Sequence, residues 1–287
     1  MYTIMGVTGQ VGGAVARNLL AEGHQVRAVL RDERKADDWK ALGAEVAFAD
    51  YRDAAALETA FAGSDGAFVL LPPLFYPEAG FPETHAFAKA IGTALQAAGT
   101  PKFVALSSVG AHRDRGLGII ESLHIFEREL GRLPMPGAFL RAAWFMENAL
   151  WDIAPARERG AIAHSLYPLD RKIPMISTAD IGAIAAKTLR QRWSGTRRLE
   201  LEGPAAYSPA DLAAALAALL NRDVRAEAIP RAEWAEAFIG QGAPEDRLGG
   251  RLAMLDGFNS GWIDFERTGT ESVKGEVSLA EALRKLL

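Results

Sequence analysis

The chain has no cysteine. Disulfide scaffolds, thiolate metal sites and thiol nucleophiles are therefore excluded, and a reducing compartment, the cytoplasm, is the expected location. It also lacks any apolar run of the roughly 18 residues that a bilayer-spanning helix needs. The first strand, Tyr2-Thr3-Ile4-Met5, follows no basic segment and apolar stretch, so neither secretion nor membrane insertion is expected. An excess of either charge is lacking too. The formal net charge is −4, and Lys and Arg are scattered, densest at Arg31 to Lys35 and at Arg197-Arg198. Without a continuous basic face, direct nucleic-acid binding is not expected. The five histidines, at 24, 85, 112, 124 and 164, show no metal-ligand spacing.

What the sequence does contain is glycine in a telling place. Met5-Gly6-Val7-Thr8-Gly9-Gln10-Val11-Gly12-Gly13 lies between a short apolar strand and an amphipathic stretch, Gln10 to Glu22, with Val11, Val15, Leu19 and Leu20 on one face. The mechanism of a dinucleotide phosphate cradle asks for this arrangement. Gly6 makes the tight turn, Gly9 lets the backbone approach a pyrophosphate, and Gly12 lets the helix pack close to the sheet. Thr8, Gln10 and Val11 complete the turn, and the free N–H groups of the helix N-terminus point at the anion. A second strand, Gln25 to Leu30, closes the βαβ unit.

The alternation then continues through strands Glu45 to Phe48, Gly66 to Leu71, Lys102 to Leu106 and Ala138 to Leu140. Helices Asp32 to Leu42, Asp53 to Phe61, Phe81 to Ala98 and Gly116 to Gly131 separate them. The expected fold class is α/β, a doubly wound parallel sheet with a smaller mixed α+β C-terminal lobe. Residues 1–150 form the dinucleotide domain, with 178–203 returning to it, and 151–287 form the lobe. In that lobe Arg159 to Ile162, Lys172 to Met175, Arg197 to Leu201 and Val224 to Ile229 read as strands. Thr178 to Arg192, Ser208 to Leu220, Pro230 to Ile239 and Pro244 to Phe258 read as helices.

In such a sheet the ligand lies beyond the C-terminal strand ends. After the second strand come Arg31 and Asp32, where a guanidinium would take a ribose 2′-phosphate and a carboxylate would hold a ribose diol. Arg31 stands nearer the strand, so NADP(H) is favoured over NAD(H). Asp50 is placed to meet the adenine edge or to cap the turn at Tyr51-Arg52. Leu70, Leu71 and Pro72 form an apolar wall beside the nicotinamide half or simply end a strand. Ser107 and Ser108 can bond cofactor or substrate, or cap a turn. His124 is a candidate acid. Phe75, Trp144 and Phe145 are candidate walls of a substrate pocket, within a wider aromatic group of Tyr76, Phe81 and Trp151.

These residues resemble the NmrA-like branch of the atypical short-chain dehydrogenase/reductase superfamily. The likeness rests on Gly6 to Gly12, Val29-Leu30-Arg31-Asp32, Ala49-Asp50, Leu106-Ser107-Ser108, Leu140 to Asn148, and Ile173-Pro174-Met175 followed by Ala179-Asp180-Ile181. It implies a Rossmann domain binding NAD(P), with a lobe closing over a cleft. It implies either a reductase of quinone type or a dinucleotide sensor whose partner is a regulatory protein, as a monomer or homodimer. The superfamily's Tyr-x-x-x-Lys pair is missing, because no Tyr or Lys lies between Gly116 and Leu133. Carbonyl reduction by a tyrosyl acid is not expected. Hydride transfer from NADPH to a small apolar acceptor such as a quinone survives that loss, since stacking against nicotinamide supplies proximity and solvent or His124 supplies protons.

Overall fold

Apolar runs alternating with helical stretches build a parallel sheet in the computed structural model, which describes residues 1–287. The first half runs β1 (Tyr2–Ile4), α1 (Gln10–Ala21), β2 (Val26–Leu30), α2 (Ala36–Ala41), β3 (Glu45–Phe48), α3 (Ala54–Phe61), β4 (Gly66–Val69), α4 (Pro82–Ala97), β5 (Phe103–Ser108), α5 (Glu121–Leu130) and β6 (Gly137–Ala142). Next come β7 (Trp144–Phe145), α6 (Leu150–Arg159), β8 (Ala161–His164), β9 (Ile173–Ile176), α7 (Thr178–Arg190) and β10 (Thr196–Glu202). The chain ends with β11 (Ala206–Tyr207), α8 (Pro209–Leu220), β12 (Arg225–Ala228), α9 (Trp234–Gly240), α10 (Gly249–Ser260), β13 (Glu271–Lys274) and α11 (Leu279–Arg284).

The main sheet has the order β13-β10-β6-β5-β4-β1-β2-β3, and every neighbouring pair in it is parallel. Chain order reverses between β1 and β4, so the ligand crevice of a doubly wound sheet opens there, at the C-terminal strand ends. Both faces are covered, which is why the strands read as near-continuous apolar runs. Ile4, Leu30, Phe68 and Val104 point into one core with α1 and α7. Their strand neighbours Met5, Val29, Val69 and Ala105 point into another with α3, α4 and α5. Helices α1 and α7 cross closely, since a Cβ on Gly182 would stand 2.3 Å from that of Ala14.

The later elements extend this core rather than building a separate one: Leu212 and Leu216 of α8, Trp234 and Phe238 of α9, and Phe258 of α10 are continuous with the α1 face. Two small sheets, β11-β9-β7 and β12-β8, sit among them.

Several elements differ from the sequence reading. Strand β4 stops at Val69 rather than Leu71, because Pro72 and Pro73 carry no N–H and the residue before a proline is pushed off regular pairing. Four helices read as single begin with separate 3₁₀ turns, at Glu33–Lys35, Gly118–Ile120, Arg231–Glu233 and Glu245–Arg247. Strand β10 pairs with β6 and carries β13 on its other side. The sequence reading contains no strand at Glu271–Lys274, a short and mostly polar edge segment without an apolar period.

Candidate functional site

The cradle forms because the chain turns back sharply at Gly6, two residues after β1. Gly6 has φ +68°, a left-handed conformation that a side chain resists, and its N–H donates to the hydroxyl of buried Tyr51 at 2.7 Å. Leu70 packs against Gly6 so closely that a Cβ there would reach its Cδ2 at 2.6 Å. Gly12 supports the turn from the helix side: its Cβ would overlap the Gly6 carbonyl oxygen at 2.4 Å. Gly9 differs. A Cβ on Gly9 would meet only the Gly6 oxygen, at 3.3 Å, and otherwise open space. Gly9 is the N-cap of α1, with no side-chain cap and no acid in the first turn, so those N–H groups are left for an outside acceptor. Thr8, Gly9 and Gln10 are exposed there, and Val11 is buried beneath them. The residues present fit a pyrophosphate.

At the outer rim the two acids are occupied. The Asp32 carboxylate accepts from the Arg34 backbone N–H at 3.0 Å and from its guanidinium at 2.9 Å. Those hydrogen bonds hold its pKa below the usual carboxylate range. Asp50 does the same with Arg52, accepting from the backbone N–H at 2.8 Å, so it caps its turn. Its pKa is lowered by the same kind of bond. Arg31 has no acidic partner. It is exposed, with its guanidinium 5.5 Å from the ring centroid of Tyr51. Tyr51 thus joins the glycine turn to the rim, a role no sequence pattern announces.

The inner end is organised by a buried ion network. Arg141 of β6 makes a two-pronged contact with Glu127 of α5 at 2.8 and 2.9 Å, and also reaches Glu266. Ser107 donates to Glu127, so its hydroxyl is committed within the protein. Glu200 of β10 accepts from the backbone of Glu266 and Arg267, which clamps the late segment over the ends of β5, β6 and β10. Ser108 donates to the Val109 carbonyl at 3.0 Å. His124 is half-buried, and its Nδ1 donates to the Ala111 carbonyl at 2.9 Å. Leu70, Leu71 and Pro72 are half-buried at the β4 exit, whereas Phe75 is 56% exposed on the following loop.

Two cavities are lined by residues that follow β5 in the chain. One, of ≈ 100 Å³, is lined by Val109 after β5, by Ile173 and Pro174 of β9, and by Phe258 and Ile263, with Arg171, Lys172 and Asp264 as its charged residues. The other, of ≈ 50 Å³, has Trp144 and Phe145 as aromatic walls and includes Asp152 and His164. Trp144 meets Phe258 edge-on at 5.1 Å, so the two cavities share an aromatic partition. Trp144 and Phe145, named as pocket walls in the sequence reading, line the second cavity, whereas Arg171, Lys172, Asp152 and His164 were not named as site residues there. Further motif residues serve as scaffolding. Glu147 accepts the Thr178 N–H at 2.9 Å and so caps α7 from outside, and Asp180 holds the backbone of Glu276 and Val277.

The sheet order, with a glycine turn at its switch point, defines a Rossmann-type α/β protein. The chain matches the model of the NmrA-like family over residues 2–253 and belongs to that family. It is 31% identical over 245 residues to the NAD(P)H azoreductase of Xenophilus azovorans, covering 85% of this chain and 82% of that one. It is 30% identical over 259 residues to quinone oxidoreductase 2 of Escherichia coli (strain K12), covering 89% and 87%. The structure of an NADPH-dependent quinone oxidoreductase from Escherichia coli complexed with NADPH superimposes at a TM-score of 0.80. The match covers 100% of this chain and 99% of that one, at 26% identity. A Citrobacter triphenylmethane reductase shares the fold, with a TM-score of 0.81 at 20% identity.

Proposed function

We propose that this chain is an NADPH-dependent oxidoreductase that passes hydride to a small apolar acceptor, with quinones as the first class to test. The observation that carries the reading is the uncapped first turn of α1 behind Gly9, open to a phosphate, with Arg31 unopposed at its rim. The N–H groups of that turn hold the pyrophosphate. Arg31 takes a 2′-phosphate, because Asp32 and Asp50 are each turned onto an arginine of their own. Leu70, Leu71 and Pro72 wall the nicotinamide side. The bound cofactor supplies the hydride.

In this reading the segment 151–287 covers the acceptor side, and Trp144 and Phe145, which line a small cavity there, supply aromatic surface beside the acceptor. Stacking next to nicotinamide provides proximity, and excluding water protects the hydride donor from side reactions. Two relatives named as an azoreductase and a quinone oxidoreductase support the same chemistry. The test is anaerobic NADPH consumption against a panel of benzo- and naphthoquinones. Hydroquinone formed in step with NADPH lost is the expected result. Tight NADPH binding with no turnover above the protein-free rate would favour the sensor reading, which the missing Tyr/Lys pair motivates.

A further inference from the structure

The first cavity holds a guanidinium without an acidic partner. Arg171 stands in the turn before β9, where its backbone N–H donates to the Pro168 carbonyl at 2.9 Å. Its Nη1 donates to the Asn259 carbonyl near the end of α10, which fixes the half-buried side chain in the cavity wall. The other N–H groups of the guanidinium have no acceptor in the protein. Nη2 lies beside Gly261, where a Cβ would come within 3.0 Å of it, so the residue there adds no side chain over it.

The two other charged residues of the lining are engaged. Lys172 is 60% exposed and pairs with Asp211 at 3.5 Å. Asp264 accepts from the Phe265 N–H at 2.8 Å and lies 3.8 Å from Arg267. Val109, Phe258 and Ile263 supply apolar surface. An anion that reaches Arg171 is therefore partly withdrawn from water and meets a planar fork of donors, a geometry that suits a carboxylate or a sulfonate.

Position ties this cavity to the crevice. Val109 directly follows Ser108, the last residue of β5, and β5 pairs with β4, whose exit carries Leu70, Leu71 and Pro72. Neighbouring strands are about 4.8 Å apart, so the end of β5 lies roughly 10 Å along the sheet from the end of β1, on the side away from β2 and the Arg31 rim. At ≈ 100 Å³ the cavity is small for a fused ring system and has room for one anionic substituent.

We propose that Arg171 selects the acceptor, binding a carboxylate or sulfonate substituent of a quinone whose ring lies between this cavity and the β4 exit. This rests on the hydride-transfer reading above and narrows it, from an apolar ring to an apolar ring carrying one anionic group.

The test has two arms. The first reads binding without turnover, by calorimetry of naphthalenesulfonate, naphthoate and uncharged naphthylmethanol on the NADP⁺-loaded protein. Both anions should bind about tenfold or more tighter than the alcohol, and Arg171→Gln should remove that advantage, as expected for the loss of a charge-assisted hydrogen bond. Arg171→Lys keeps the charge but not the fork and should retain part of the advantage. The second arm compares a naphthoquinone sulfonate with menadione as acceptors for NADPH. The sulfonate should have the lower KM in the parent, and the ratio of the two KM values should shift about tenfold in Arg171→Gln. Anions that bind no better than the alcohol, or an Arg171→Gln protein with the parent's preference, overturn the assignment and leave hydride transfer standing. Anion binding through Arg171 with no NADPH oxidation by either quinone overturns hydride transfer, and the selection of an acceptor with it.

Discussion

Replacing Asp152 or His164 should change how stability depends on pH, in opposite directions. Burial raises the Asp152 carboxyl from an ordinary 3.8 to about 7, so across that window the native state keeps a proton that the unfolded chain has lost. Stability from this group is full below pH 3.8 and is lost as pH rises through 7. Each pH unit between those limits is about 1.4 kcal/mol, so the ceiling is about 4 kcal/mol. His164 runs the other way. Its pKa falls from 6.5 to about 4, so its contribution is full above 6.5 and is lost as pH falls through 4, with a ceiling of about 3 kcal/mol. In the native protein the two slopes overlap and largely cancel between about pH 4 and 6.5. Asp152→Asn removes the first, leaving a protein whose stability drops towards acid and which exceeds the parent at pH 8. His164→Asn retains an acceptor for the Leu166 N–H and leaves a protein that weakens as pH rises. Urea denaturation at pH 5 and pH 8 reads both slopes from the midpoints. Parallel pH profiles for the parent and both variants would refute the reasoning, since they would mean that neither group differs in proton affinity between folded and unfolded chains.

Two predictions concern the cradle. Gly9→Val should abolish dinucleotide binding and leave the far-ultraviolet circular dichroism spectrum unchanged, because the branched side chain fills the open approach and strikes little of the protein itself; calorimetry showing parental NADPH affinity would count against the site. Arg31→Ala should weaken NADPH by roughly tenfold or more and NADH hardly at all, since a charge-assisted hydrogen bond contributes about 1.5–3 kcal/mol; paired titrations that fall equally would show that Arg31 does not read the 2′-phosphate.

The parts of the molecule legible in the sequence are those specified by near neighbours. The β1–turn–α1 unit is readable because Gly6, Gly9 and Gly12 act within seven positions of one another, and the φ of +68° at Gly6 and the 2.4 Å clearance at Gly12 match those roles. The parallel sheet is readable because strands buried on both faces give continuous apolar runs between amphipathic helices. What sequence could not reveal depends on groups far apart in the chain. Tyr51 becomes part of the glycine turn only because the segment that follows β3 reaches past β2 to the end of β1. Arg141 of β6 meets Glu127 of α5 and Glu266 of the loop before β13, and Asp152 and His164 line one cavity from α6 and β8. At the rim the limiting fact was local and still easy to miss. Asp32 and Asp50 each have an arginine two residues on, and that spacing lets backbone and guanidinium bind one carboxylate together. Strand β13 was missed for the opposite reason, because edge strands are polar and short and carry no apolar period.

The most direct test of the central claim is hydride transfer itself, followed in a single anaerobic turnover with NADPH and with NADPH carrying deuterium at the transferred C4 position. The expected result is NADPH oxidation matched one for one by hydroquinone, slowed about two- to fourfold by the deuterium, a bond-breaking effect of less than about 1 kcal/mol. Tight cofactor binding with no oxidation, whatever quinone is offered, would contradict the claim.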